Sequence, residues 1–252
     1  MAFIESEDSS IKSAYIGAMG WSYKQWEGKL YPKELEPDGY LNEYSQHINS
    51  VELNNTFYRI PSIKTVENWK KQTPYDFIFT SKFPRSISHN RTLGGDQEKL
   101  EVFLHNISHL ENKLGPLLLQ LPPNSKVDAE GLTAFLSKLP DNYRYAIEFR
   151  HKSWFIPPIY EVLRDRNAAL VIVDHPWLPE LDELTSDFTY IRWQGDRKRV
   201  KGDHGVVEVD RKENNQRWAN KIKVFLESVQ VYGYFSKHYS GYPPQDIEDL
   251  KL

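Results

Sequence analysis

The sequence contains no cysteine, which excludes disulfides, thiolate metal centres and cysteine nucleophiles. That absence is compatible with the cytoplasm. No apolar stretch approaches the roughly 20 residues needed to cross a bilayer. The opening residues, MAFIESEDSSIK, are acidic and serine-containing, without the basic start and apolar run of a secretory signal. The expectation is a cytoplasmic protein that does not enter a membrane, with residues 1–12 as a flexible tail.

A strong charge of one sign is also missing. The 32 Lys and Arg residues nearly cancel 35 Asp and Glu residues, for a net charge of −3. Nucleic acid would therefore have to meet a local basic patch rather than a field from the whole molecule. The patterns G-x-x-x-x-G-K-[ST], G-x-G-x-x-G and G-x-S-x-G do not occur. Their absence removes sequence support for triphosphate hydrolysis, Rossmann cofactors and the α/β-hydrolase elbow. No Pro, Gly or Ser linker divides the chain, so residues 13–252 read as one domain.

What is present is abundant apolar and aromatic material. Aromatics reach 13% and include 7 Trp and 15 Tyr, enough for a sizeable core. Eight short apolar runs stand out: Tyr15–Gly20, Ser50–Asn55, Phe77–Lys82, Leu117–Leu121, Tyr145–Phe149, Ala169–Asp174, Phe188–Gln194 and Val231–Ser236. Their near-continuous hydrophobicity fits parallel strands buried on both faces. Helical periodicity fills Pro37–Ile48, Ser62–Gln72, Asp96–Lys113, Asp128–Lys138, Pro157–Arg166 and Asp210–Val229. Eight strands alternating with helices predict an α/β fold, the TIM (β/α)8 barrel.

Side chains alternate along a strand, so counting separates its two faces. Polar residues fall on one parity near the strand ends: Glu52 with Asn54, Thr80 with Lys82, Gln120, Glu148 with Arg150, Asp174, and Arg192 with Gln194. The mouth at the C-terminal ends of the strands hosts the chemistry of characterised barrels. Glu148 in YAIEFRH needs a cationic partner there, and Arg150, Lys82 and Arg192 are the candidates.

These stretches also resemble a known family. They are Gly20-Trp21-Ser22-Tyr23 with Trp26 and Gly28, Tyr31-Pro32, and Val51-Glu52-Leu53-Asn54-Asn55-Thr56-Phe57-Tyr58 with Pro61 and Trp69. Thr73-Pro74, Leu114-Gly115-Pro116, Gln120-Leu121-Pro122-Pro123, Glu148-Phe149-Arg150-His151 and Ser153-Trp154 continue the pattern. Over nearly its whole length the chain resembles the YecE-like family, domain of unknown function 72. The resemblance implies a TIM barrel but no established reaction. Relatives look akin to the xylose-isomerase and endonuclease IV barrels, which implies DNA binding as one option. Two departures stand out. The family's Leu-His-Gly reads Trp193-Gln194-Gly195 here, and its Phe-Asn-Asn reads Phe235-Ser236-Lys237.

The expected ligand is a small phosphorylated or polyhydroxylated molecule. Glu52 and Glu148 are the expected acid/base pair, with His151 as the alternative. Lys82, Arg150 and Arg192 would hold an anionic group, while Asn54, Gln120 and Asp174 would bind hydroxyls. Trp21, Tyr23, Tyr58 and Trp154, on predicted loops, would cover the ligand, or else merely close the barrel mouth. No cofactor is expected. A divalent metal on His89, His151, His175 and Glu52 is the lesser alternative, because no metal-ligand spacing occurs and three cations lie nearby. The basic run Arg197-Lys198-Arg199-Val200-Lys201 would serve a second reading, nucleic-acid binding. A purely structural ion-pair network would account for the same charged residues. Oligomeric state is not legible in the sequence.

Overall fold

The computed structural model describes residues 12–90 and 93–252. The expected tail, apart from Lys12, lies outside the described residues. Eight parallel strands close into a barrel in chain order, with the last paired to the first. They are β1 (Ala14–Ala18), β2 (Ser50–Leu53), β3 (Ile78–Lys82), β4 (Leu114–Gln120), β5 (Tyr145–Glu148), β6 (Ala169–Asp174), β7 (Phe188–Trp193) and β8 (Gln230–Phe235). Outside them lie α1 (Tyr40–His47), α2 (Ile63–Lys71), α3 (Arg85–Ser88), α4 (Gln97–Ile107), α5 (Ala129–Leu136), α6 (Pro157–Asp165), α7 (Lys212–Leu226) and α8 (Pro243–Leu250). The fold is the α/β TIM barrel.

Local chemistry sets the helix starts. Ser62, Asp96 and Asp128 each accept a hydrogen bond from the backbone N–H three residues on, which caps α2, α4 and α5. Pro157 and Pro243 open α6 and α8, where a missing N–H costs nothing. Helix α4 ends earlier than its apolar period predicts. A 3-10 segment, Ser108–Lys113, takes over, with Glu111 at a φ of 54° turning the chain into β4.

Strand β4 begins at Leu114, three residues before the predicted start, and so contains Pro116. Proline cannot donate to a ladder. The pairing with β3 is irregular at this point, shifting between Phe79 and Ser81 opposite Leu114 and Leu117. Between β6 and β7 no helix forms. Residues 175–187 are irregular, starting at the mouth with His175, Trp177 and Leu178. They run back to the N-terminal end of the barrel, where the Thr185 hydroxyl bonds the backbone of Ala168 and Leu170.

The two strand faces bury different material. Outward residues such as Leu53, Phe79, Leu119, Ile147 and Phe149 pack against helices. Ile172, Ile191 and Trp193 do the same against Trp218 and Ile222 of α7. Inside the barrel, Leu118, Ala146, Val171, Val173, Phe188, Tyr190, Tyr232 and Tyr234 form an apolar plug. Its tyrosine hydroxyls are paired: Tyr234 with Ser50 at 2.6 Å and Tyr190 with Thr80 at 2.9 Å. The polar mouth rests on this plug.

Helix α8 is tied to α7 through a buried carboxyl. Asp246 accepts from Asn215 at 3.2 Å and from the Ser240 hydroxyl. Burial pushes its pKa from 3.8 up to about 7, against the hydrogen bonds from Ser240 and Asn215. The native carboxyl thus keeps its proton to near pH 7, whereas the unfolded one releases it near its ordinary value. Folding stability falls as pH rises across that window and levels off above it. In urea titrations from about pH 4 to pH 8, wild type should lose on the order of 3 kcal/mol relative to Asp246→Asn. Parallel profiles for the two proteins would contradict this.

Candidate functional site

Seven of the expected residues, Glu52, Asn54, Lys82, Gln120, Glu148, Arg150 and Arg192, meet inside the C-terminal mouth, and Arg192 is at their centre. Its guanidinium grips Glu52 side-on, Nε to Oε2 at 2.9 Å and Nη2 to Oε1 at 2.8 Å. Through Nη1 it also donates to Glu148 Oε2. Glu52 and Glu148 are fully buried and Arg192 is 2% exposed. A buried charge needs partners of this quality, because the desolvation of each ion costs several kcal/mol.

Every carboxylate oxygen has a partner: Glu52 accepts four hydrogen bonds and Glu148 two. Glu52 accepts from the Tyr190 hydroxyl at 2.8 Å and the Asn54 amide at 2.7 Å. Glu148 accepts from Arg150 Nη1 at 2.8 Å. Burial alone would raise the Glu148 pKa, but Arg192 and Arg150 outweigh it and hold the carboxyl below its usual range. Burial works against the charge of Arg192, but Glu148 and Glu52 outweigh it and push the Arg192 pKa up. Glu148 therefore stays ionised and does not serve as an acid in this arrangement. Both carboxylates lie beneath the guanidinium without an exposed oxygen, so the geometry makes them counter-ions and does not carry the expected acid/base pair.

Lys82 is left over. It is 9% exposed, and among the described residues it forms no ion pair. Its Nζ donates to Gln120 Oε1 at 2.5 Å and lies 4.2 Å from the centre of the Phe57 ring. Burial and the neighbouring Arg192 bring its pKa down from 10.5 to about 8. Two carboxylates thus face three cations, Arg150, Arg192 and protonated Lys82.

Above this layer Gln120 and Arg150 help to line a cleft of about 400 Å³. Its other walls are Pro123, His175, Trp177, Leu178 and the segment from Gly195 to Lys198. Gly195 has a φ of 64°, and a Cβ there would stand 2.2 Å from the His238 carbonyl oxygen, so only glycine fits. Burial and Arg150 lower the His175 pKa. A larger cavity of about 930 Å³ lies elsewhere, between α1 and α8, and none of the expected site residues lines it.

Several expected residues are placed differently. Asp174 lies on the outer face of β6, where it accepts from the Trp218 indole of α7 at 2.8 Å. Residues before it in β6 are all apolar, so polarity carried no sign of which parity faced inward. His151 does not reach the cleft. Its Nδ1 pairs with the Ser153 hydroxyl at 2.8 Å and caps the short turn Lys152–Trp154. Trp154 is buried, stacked on Phe149 at 4.6 Å with its indole donating to Ser125 O at 2.8 Å, so it belongs to the core. Tyr58 is 84% exposed. Trp21 packs edge-on against Trp69 at 5.9 Å.

Tyr23 stays near the mouth. Its hydroxyl donates to Met19 O at 2.7 Å, and burial together with the Glu52 charge raises its pKa to about 12. Among the described residues no three His, Asp or Glu side chains converge as a metal would require. Met19, whose sulfur lies 3.4 Å from Arg192 Nη2, and Trp177 were not singled out from sequence. Parity from Tyr15 and Gly17 would have placed Met19 inside.

A closed eight-stranded parallel barrel with a buried ionic cluster under its C-terminal mouth defines the class, a TIM-barrel protein with a charged interior site. The chain belongs to the DUF72 family, described as "Protein of unknown function DUF72", whose profile matches residues 15–252. It is 37% identical to UPF0759 protein YecE of Escherichia coli over 142 residues, 56% of this chain. That match spans 50% of the relative's length. Identity to UPF0759 protein YunF of Bacillus subtilis is 31% over 211 residues, 76% of this chain and 74% of that one. A solved DUF72 family protein from Thermotoga maritima is similar with a TM-score of 0.78 at 28% identity, covering 95% of this chain and 98% of that one. Another from Enterococcus faecalis, at 23% identity, shares the fold with a TM-score of 0.72 and 94% coverage of each chain. Among the described residues no helix is long and apolar enough to cross a membrane.

The ionic cluster makes a stability forecast. Arg192→Met strands two buried carboxylates and should cost about 3 to 5 kcal/mol in urea unfolding at neutral pH. Arg150→Ala, whose side chain is 18% exposed, should cost about 1 kcal/mol or less. Equal losses in the two variants would contradict the central placement of Arg192.

Proposed function

We propose that the barrel mouth binds a small anionic molecule, phosphorylated or polyhydroxylated, and that the protein is an enzyme or ligand binder for it in the cytoplasm. One observation carries this reading. The negative charge of Glu52 and Glu148 is consumed by arginines, and a cation remains over at Lys82. A net positive, partly dehydrated cavity favours an anion, and its charge-assisted hydrogen bonds are stronger there than in water.

In this reading Arg150 and Lys82 meet the anionic group. Gln120, Asn54 and Gln194 supply donors and acceptors to hydroxyls, while Trp177 and Leu178 offer an apolar wall. Arg192 acts beneath them, fixing the positions of Glu52 and Glu148 and hence of Arg150. No metal or organic cofactor enters the proposal.

A second reading rests on the exposed basic run. Arg197 and Lys198 line the cleft, and Lys198 Nζ lies 5.2 Å from the centre of the exposed Trp177 ring. Cations beside an aromatic face are also the equipment of single-stranded nucleic-acid binders.

Titration calorimetry with glycerol phosphate and with an oligonucleotide separates the two. Glycerol phosphate should bind, and Arg150→Ala should weaken it by roughly tenfold or more. Neutralising Arg197, Lys198, Arg199 and Lys201 together should leave that binding within about threefold. Binding of the oligonucleotide alone, lost with the basic run and steeply salt-dependent, would favour the second reading.

A further inference from the structure

We propose that the Lys82 amine is a nucleophile that forms an imine with the carbonyl group of an anionic aldehyde or ketone bound in the mouth. The inference deepens the small-anion reading and rests on it, since it names the reactive group of that ligand. Lysine becomes a nucleophile when it lacks a carboxylate partner, sits in a partly dehydrated pocket and has other cations nearby. At the end of β3, Lys82 has no carboxylate within ion-pairing distance among the described residues, is 9% exposed and has Arg150 and Arg192 nearby. It reaches the cleft through Gln120, which accepts from its amine and lines the cleft wall.

The missing ion pair follows from the geometry of Arg192. Three of its nitrogens, with the amide of Asn54, the hydroxyl of Tyr190 and Arg150, occupy the oxygens of Glu52 and Glu148. Lys82 makes no ion pair with either carboxylate, although all lie within one cluster. Its stem is held by the strand end, where the Lys82 carbonyl accepts from Thr56 Oγ1 at 2.6 Å. Its amine is aimed by Gln120 and by the face of Phe57. A neutral amide acceptor orients the nitrogen without stabilising its positive charge as a carboxylate would.

The charged surroundings pull both ways. Glu52 from β2 and Glu148 from β5 favour the protonated amine, and Arg150, just after β5, and Arg192 from β7 oppose it. Burial is the largest influence and, with the arginines, lowers the proton affinity of Lys82. His89, after α3, is itself held below its usual pKa by burial, Lys82 and Arg85, so it adds no positive charge near neutrality. A sizeable neutral fraction of Lys82 is then present near pH 7.5, against roughly one part in a thousand for an ordinary lysine.

The step balances without any oxidant or co-reactant. The nitrogen lone pair forms a C–N bond to the carbonyl carbon, and the carbonyl oxygen takes up a proton. The carbinolamine then loses its oxygen as water when the C–O bond breaks and C=N forms. Overall, a protonated amine and a carbonyl give a protonated imine and water, with no net change in protons. Protons released at nitrogen reach the departing oxygen through solvent at the open mouth.

The test is reductive trapping of the full-length chain with sodium borohydride in the presence of three probes. Dihydroxyacetone phosphate carries carbonyl and anion, dihydroxyacetone the carbonyl alone, and glycerol phosphate the anion alone. Intact mass and peptide mapping of the unmodified sequence read the site of attachment. The expected result is one adduct, on Lys82, forming roughly tenfold or more faster than at any other lysine and faster with the phosphorylated ketone. Lys82→Arg, checked for folding by its thermal melt, should give no such adduct. Absence of a preferred adduct at Lys82 with both carbonyl probes overturns the imine, and glycerol phosphate binding then tells whether the anion reading survives alone. Equal trapping by both carbonyl probes, without glycerol phosphate binding, upholds the nucleophile and overturns the anion reading.

Discussion

The Arg192 guanidinium, shared between two buried carboxylates, is the interaction on which the mouth of the barrel depends. Ion pairs with no solvent access are held together only by near-complete hydrogen bonding, since Coulomb attraction barely repays desolvation. Here Glu52 on β2, Glu148 on β5 and Arg192 on β7 reach that state together. The consequence reaches beyond stability. By using the negative charge, Arg192 determines which group goes without a counter-ion.

The barrel provides the place for this. Parallel strands bring their ends to one rim, and inward parity delivers one polar residue from each of several strands to the same depth. The apolar plug of tyrosines, Leu118 and valines beneath keeps water from the cluster's underside. The irregular span 175–187 replaces a helix after β6 and brings Trp177 and Leu178 over the opening. A tightly packed floor and a less regular rim are a common division of labour, because binding surfaces are carried on loops held by a rigid scaffold.

Much of this was legible in the sequence. Eight apolar runs of strand length gave the barrel, and alternation placed Glu52, Lys82, Gln120, Glu148 and Arg192 on inner faces. Asp174 shows where counting fails: β6 is apolar on both faces, so its one polar residue had no neighbour to indicate which way was in. Which cation would pair with Glu148 was open too, because parity fixes a face but not a distance. The same limit applies to Trp154 and His151. Both follow a strand end, yet local stacking and capping, which no spacing rule reports, turn them away from the cleft. Proline at position 116 concealed the first three residues of β4, since a lone sequence does not show that the neighbouring ladder skips there.

The most direct measurement is a carbon-13 NMR titration of the lysine ε-carbons, with Lys82 assigned by its loss in Lys82→Arg. The account predicts a Lys82 resonance titrating near pH 8, well below the value of about 10.4 for a free lysine side chain. A Lys82 resonance that titrates with the bulk, or later, would mean that it has a carboxylate partner after all, and the charge balance built on Arg192 would be wrong.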